Sequence, residues 1–166
     1  MLAKHKAMLI GSIGAGKSTL TNSLLGREVK AVKTQSLNYY DWIVDTPGEY
    51  TENPLFYKNI MATALEVTHV LYLQDATNQK LIFPHGFSSG FNKLAIGVVT
   101  KSDSERADVN LAVSQLKRVI AKGPIVITSS YKNEGIQEIR ELVQLNSLEE
   151  MKEYANNNYS ANIIFA

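Results

Sequence analysis

The chain has 166 residues, 45% of them apolar and 20% charged, with no cysteine and a net charge of +1. At roughly 100–200 residues per domain this is one domain, with enough chain to bury a core without covalent staples. Lack of cysteine excludes a disulfide scaffold, a thiol nucleophile and a thiolate metal site, and the near-zero charge argues against binding nucleic acid or anionic membrane through a broad basic field.

In chain order, residues 1–10 carry basic residues and a short apolar patch that Gly11 and Gly14 interrupt too early for a signal peptide. No apolar run approaches the roughly 18–20 residues that span a bilayer. The expectation is a soluble, cytoplasmic protein with no stable membrane anchor. Strand-like runs fall at 7–10, 42–44, 69–73, 94–100 and 124–128, and they do not alternate strictly, which suits strands covered on both faces. A weaker run at 37–40 is placed to pair antiparallel with a neighbour.

Helical patterns lie between these runs. Residues 17–25 end at Gly26, a good left-handed stop. Asn53-Pro54 supplies a cap and a first-turn proline for 55–65. Asp108 caps a helix whose apolar face carries Val109, Ala112, Val113, Leu116, Val119 and Ile120. Ile136, Ile139, Leu142 and Val143 mark another helix, and Ser147 with Glu150 has the spacing of a capping box for a short last one. Alternating strands and helices predict a mostly parallel α/β sheet. The expected division is a domain over 1–146 followed by a short helix and tail over 147–166. The tail reads as frayed, although Ile163-Ile164-Phe165 is apolar enough to dock on its own domain, a subunit or a shell protein.

The strongest chemical signal is Gly11-Ser12-Ile13-Gly14-Ala15-Gly16-Lys17-Ser18, followed by Thr19, at the junction of a strand and a helix. Glycines let successive backbone N–H groups curve around phosphate oxygens, and the helix N-terminus favours negative charge. Lys17 is placed to neutralise β- and γ-phosphates, and the Ser18 hydroxyl to ligate Mg²⁺. Asp45-Thr46-Pro47-Gly48 leaves the next strong strand, with Asp45 directed at the metal through a water and the Gly48 N–H at a γ-phosphate. Thr100-Lys101-Ser102-Asp103 closes a later strand. There Asp103 can accept two N–H bonds from guanine, and the Lys101 stem can lie over the base. Ser129-Ser130-Tyr131 follows the last strand, where backbone N–H groups would meet a base oxygen. The three histidines show no metal-ligand spacing, and no basic stripe accompanies the aromatic residues, so no nucleic acid is expected as partner.

Together these motifs resemble the Ras-like G domains of P-loop NTPases over residues 6–145. The resemblance implies a mostly parallel six-stranded sheet with helices on both faces and a nucleotide at its carboxyl edge. Glu49 stands where such a GTPase carries a water-orienting glutamine, and its carboxylate repels both γ-phosphate and hydroxide, so slow hydrolysis is expected. Thr100 replaces the commoner asparagine of guanine sites, which shifts base discrimination onto Asp103 and leaves either GTP or ATP as the nucleotide.

Longer strings narrow the likeness. Lys33-Thr34-Gln35, Asp45-Thr46-Pro47-Gly48-Glu49-Tyr50, Ile82-Phe83-Pro84-His85-Gly86-Phe87 and Ile96-Gly97-Val98-Val99-Thr100-Lys101 resemble the EutP/PduV family of ethanolamine and propanediol utilisation. That resemblance implies Thr34 as the switch threonine that senses Mg²⁺ and γ-phosphate. It also implies association with bacterial microcompartments, through shell or pathway enzymes. The catalytic set expected is Lys17, Thr34, Gly48 and Glu49, with Ser18, Thr34 and Asp45 around the metal. Three functions follow: a Mg²⁺-dependent GTPase, a phosphotransferase acting on a short-chain carboxylate such as acetate, and a nucleotide-binding scaffold.

Overall fold

The computed structural model describes residues 5–28, 36–158 and 160–166. Seven strands form one sheet: β1 (Ala7–Ile10), β2 (Asn38–Tyr40), β3 (Ile43–Asp45), β4 (His69–Asp75), β5 (Leu94–Thr100), β6 (Pro124–Ile127) and β7 (Ile163–Phe165). Their spatial order is β2-β3-β1-β4-β5-β6-β7, parallel through the five inner strands, with β2 and β7 antiparallel at the edges. Among the described residues six α-helices accompany them: α1 (Lys17–Leu25), α2 (Gly48–Glu52), α3 (Tyr57–Ala64), α4 (Val109–Val119), α5 (Ile136–Val143) and α6 (Leu148–Asn157).

The inner strands read as continuous apolar runs because both faces are covered. All seven residues of β4 are buried. Val70 and Tyr72 point to a core shared with Ile60 of α3 and Leu116 of α4. Leu71 and Leu73 point the other way, to Leu20 of α1, Ile139 and Leu142 of α5 and Met151 of α6. Phe83 and Phe87 pack against Tyr72, at ring-centroid distances of 5.6 and 6.4 Å, so Phe83 anchors this connection in the core while Pro84 and His85 stay exposed.

Local signals explain the helix ends. Gly26 adopts φ 68° and closes α1. The Asp108 carboxylate accepts from the Leu111 N–H at 3.0 Å, and the Ser147 hydroxyl accepts from the Glu150 N–H at 3.1 Å. The Glu150 carboxylate reaches the Asn146 N–H, one residue earlier than a capping box requires. The helix expected over 55–65 is divided. Asn53 caps a 3₁₀ turn, Pro54–Phe56, and the α-helix begins only at Tyr57.

The expected six strands are corrected to seven, because the tail is not frayed. Residues 163–165 pair with β6, in the register Pro124–Phe165, Ile125–Ile164 and Val126–Ile163. Alternation sends Ile164 to one core and Ile163 and Phe165 to the other, so the strand closes both layers at once. The Glu138 carboxylate fixes the approach, accepting from Ser160 Oγ at 3.0 Å and Asn162 Nδ2 at 3.2 Å. Covering the β6 edge removes a row of unpaired backbone groups. Among the described residues, no helix is long and apolar enough to cross a membrane.

Candidate nucleotide site

The loop from Gly11 to Gly16 joins β1 to α1 at the carboxyl edge of the sheet. Gly14 and Gly16 adopt φ 80° and 96°, left-handed values that side chains rarely tolerate, and this curls the loop around its own backbone. Lys17, 6% exposed, folds back across it and donates to the carbonyls of Gly11 and Ser12 at 2.9 and 2.8 Å. Burial pulls the Lys17 ammonium down to about 8, against the opposing pull of Asp45 and Glu52.

Beside this loop, β3 ends in Asp45, which is buried and accepts from the Ser18 hydroxyl at 3.0 Å. A hydroxyl and a carboxylate so placed are hard oxygen donors and fit a magnesium ion. The segment after β3 is tied once to β1 and once to the phosphate loop. Thr46 Oγ1 donates to the Leu9 carbonyl at 2.7 Å, and Thr51 Oγ1 accepts from the Gly11 N–H at 3.1 Å. Gly48 opens α2 so close that an added Cβ would lie 2.5 Å from the Ile13 nitrogen. Glu49 stands exposed in the first turn of α2. Thr34, expected to complete the metal and phosphate contacts, lies outside the described residues together with Lys33 and Gln35.

On the other side of the loop, Thr100 Oγ1 donates to the Ala15 carbonyl at 2.7 Å, so its one hydroxyl proton is committed to the phosphate loop. Lys101, at φ 61°, sends Nζ to the Gly14 carbonyl at 2.7 Å and to Asp75 Oδ2 at 2.8 Å. Burial pulls the Asp75 carboxyl upward, but bonds from Lys101 and from the Thr77 hydroxyl and N–H outweigh it and hold the group below its usual range.

A cavity of about 340 Å³ opens here, lined by Gly16, Thr19, Thr100, Lys101, Asp103 and Tyr131 together with Ser104 and Ser130. Ser129 is fully buried and its N–H is donated to the Glu134 carbonyl at 3.1 Å. Of the three backbone donors expected from 129–131, that one is already used.

The structure thus gathers Lys17, Ser18, Asp45 and Gly48 on one side of the loop and Thr100, Lys101, Asp103 and Tyr131 on the other. Sequence reasoning missed Thr46, Thr51 and Asp75. A carboxylate at the carboxyl end of β4 was the available signal for Asp75, since that edge of a parallel sheet is where ligands bind. The histidines lie elsewhere: His5 and His69 line a separate hollow with Leu145 and Asn146. Among the described residues no cluster of three or more His, Cys, Asp or Glu side chains is placed to hold a metal ion.

A phosphate loop between β1 and α1, with Asp45 on β3 and a cavity beyond β5, defines a P-loop protein with the G-domain fold. The G domain of FeoB from Methanococcus jannaschii superposes with a TM-score of 0.59, covering 84% of this chain and 95% of that one at 24% identity. Residues 4–145 match the PduV-EutP family, described as "Ethanolamine utilisation - propanediol utilisation". "Probable acetate kinase EutP" of Escherichia coli K12 is 33% identical over 132 residues, 78% of this chain and 83% of its own length. "Propanediol utilization protein PduV" of Citrobacter freundii is 33% identical over 135 residues, 81% of this chain and 89% of its own. The chain belongs to the PduV-EutP family.

Proposed function

We propose that this protein binds a magnesium nucleoside triphosphate, GTP foremost, and hydrolyses it slowly as an accessory of ethanolamine or propanediol utilisation. The observation that carries this reading is the pairing of Ser18 with Asp45 at 3.0 Å, beside a buried Lys17 and across the loop from a cavity bordered by Asp103. In this reading backbone N–H groups of the loop leading into α1 hold the phosphates, Lys17 neutralises them and Asp103 reads the base edge. Ser18 and Asp45 hold the magnesium, which when bound screens the charge of the β- and γ-phosphates. Thr34, which precedes β2 in the chain, is the further ligand expected. The exposed Glu49 supplies a negative charge where a neutral or positive group would favour water attack, and turnover is slow for that reason. Its place is inside the cell, beside the pathway enzymes or protein shell of this metabolism.

A second reading is favoured by the name that relatives carry, "Probable acetate kinase". Here the carboxylate of acetate replaces water: its oxygen forms a bond to the γ-phosphorus, the bond to the β-phosphate oxygen breaks, and GDP and acetyl phosphate result. A single-turnover reaction with γ-labelled GTP or ATP, with and without acetate, separates the readings. Inorganic phosphate alone in both reactions supports the hydrolase. Acyl phosphate formed only with acetate replaces it with the transferase. Stable binding with neither product leaves a nucleotide-binding scaffold.

A further inference from the structure

We propose that the hollow at the amino edge of the sheet is a second binding site, and that it takes a small monocarboxylate with an apolar or aromatic tail. The site is built where three strand starts meet. Thr68, just before β4, accepts from the Lys6 N–H through Oγ1 at 3.1 Å and from the Leu94 N–H through its carbonyl at 3.2 Å. These bonds fix the approaches to β1 and β5 against its own. The chain leaving α5 completes the hollow, and Asn146 Oδ1 lies 2.7 Å from His5 Nε2. The space so bordered is about 440 Å³, inside the range of about 300–1,000 Å³ that small-molecule sites occupy. β4 runs seven residues from this edge to the other, so the hollow stands about 20 Å from the phosphate loop. That separation is too long for phosphoryl transfer, and a carboxylate held here is not the acceptor of the reaction considered above.

Charge selects the head of the ligand. The ionisable side chains lining the hollow are His5, His69 and Lys93, and no carboxylate lines it. Glu150, beyond Asn146, is engaged with the N–H of that residue at 2.5 Å. Lys93 is half-buried, and among the described residues its ammonium has no ion-pair partner. A ligand carboxylate supplies the missing counter-charge. His69 forms the floor. It is fully buried, 5.9 Å from His5 between ring centroids, and its Nε2 lies by the Leu145 backbone but out of hydrogen-bond geometry. Burial and the neighbouring His5 pull its pKa down to about 4, so the ring is neutral at pH 7 and Lys93 carries the positive charge. The wall selects the tail. Phe91, Leu94 and Leu145 supply apolar surface, and Phe91 packs on Phe87 and Tyr72 at ring-centroid distances of 5.4 and 6.5 Å. A bare anion leaves that surface in water, whereas a tail covers it.

The test is calorimetric titration of benzoate, benzylamine and acetate into the wild type, Lys93→Met and Lys93→Arg, with backbone amide shifts recorded for benzoate. The wild type is expected to bind benzoate saturably and one to one, and benzylamine not at all. Acetate is expected to bind about tenfold more weakly than benzoate, because it lacks the ring that covers the wall. Lys93→Met is expected to bind benzoate about tenfold more weakly, the worth of a hydrogen bond to a charged group, and Lys93→Arg within about threefold of wild type. The amide shifts are expected to centre on 68–69, 92–94 and 145–146. No saturable benzoate binding by the folded wild type would overturn the site. Equal binding of benzylamine and benzoate, or equal benzoate binding by Lys93→Met, would overturn the selection by charge. Acetate bound as tightly as benzoate would overturn the role of the wall. Shifts centred on 11–18 would overturn the proposal by moving benzoate to the phosphate loop.

Discussion

The hydroxyl of Thr100 donates to the backbone carbonyl of Ala15 at 2.7 Å, joining the end of β5 to the phosphate loop across 85 residues of chain. A threonine at this strand end therefore clamps the loop with its one hydroxyl proton. The bond is buried, so removing the donor leaves a carbonyl unsatisfied. Thr100→Val is expected to lower unfolding free energy by about 1–3 kcal/mol. It is also expected to weaken GDP and ADP by a common factor, because a distorted phosphate loop serves both alike. Urea denaturation and paired titrations check this; a change in the GDP-to-ADP ratio would instead place Thr100 in base reading.

Gly48 meets the Ile13 backbone as well as its side chain, and the backbone cannot swing aside. An added Cβ would sit 2.5 Å from the Ile13 nitrogen and 2.6 Å from its Cα. Gly48→Ala must therefore push α2 away from the phosphate loop and strain the bond from the Gly11 N–H to Thr51. Overpacking of this kind costs about 1–3 kcal/mol. Triphosphate affinity is expected to fall more than diphosphate affinity if, as proposed, the Gly48 N–H meets the γ-phosphate. Equal losses for GTP and GDP would remove Gly48 from that role.

The buried His69 makes stability depend on pH away from the nucleotide. Its Nδ1 lies 2.7 Å from Thr68 Oγ1, and burial together with the neighbouring His5 pulls its pKa down to about 4, against the Leu145 backbone. The unfolded chain takes up this proton near pH 6.5 and the folded chain only near 4, so stability is lost as pH falls through that window. Between pH 7 and pH 5 the loss is expected to reach roughly 2 kcal/mol for this group. Chemical denaturation of wild type and His69→Asn at both pH values measures it. A wild-type loss no larger than that of the variant would assign the acid sensitivity elsewhere.

Local patterns made most of this architecture readable. The glycine spacing and Lys17-Ser18 identify the phosphate loop because each residue acts through its own backbone or its nearest neighbours. Asp108 and Ser147 mark helix starts for the same reason. What escaped depends on distant partners. Three residues at 163–165 are too short to stand out as a strand, and they become one only because β6 presents an open edge and Glu138 holds Ser160 and Asn162. Asp75 looks like the polar end of a strand until Lys101 arrives from 26 residues away. Thr51 sits in a helix and acts on Gly11, 40 residues earlier. No periodicity encodes such pairs.

The central claim is that phosphates sit on the loop from Gly11 to Ser18, held by Lys17. Calorimetric titration of magnesium GTPγS, a slowly hydrolysed analogue, into the wild type and Lys17→Met tests it most directly. The expected result is saturable one-to-one binding by the wild type, weakened about a hundredfold or more in the variant, in line with the 1.4 kcal/mol that each tenfold represents. Equal affinity in the two proteins, or no binding by a folded wild type, would contradict it.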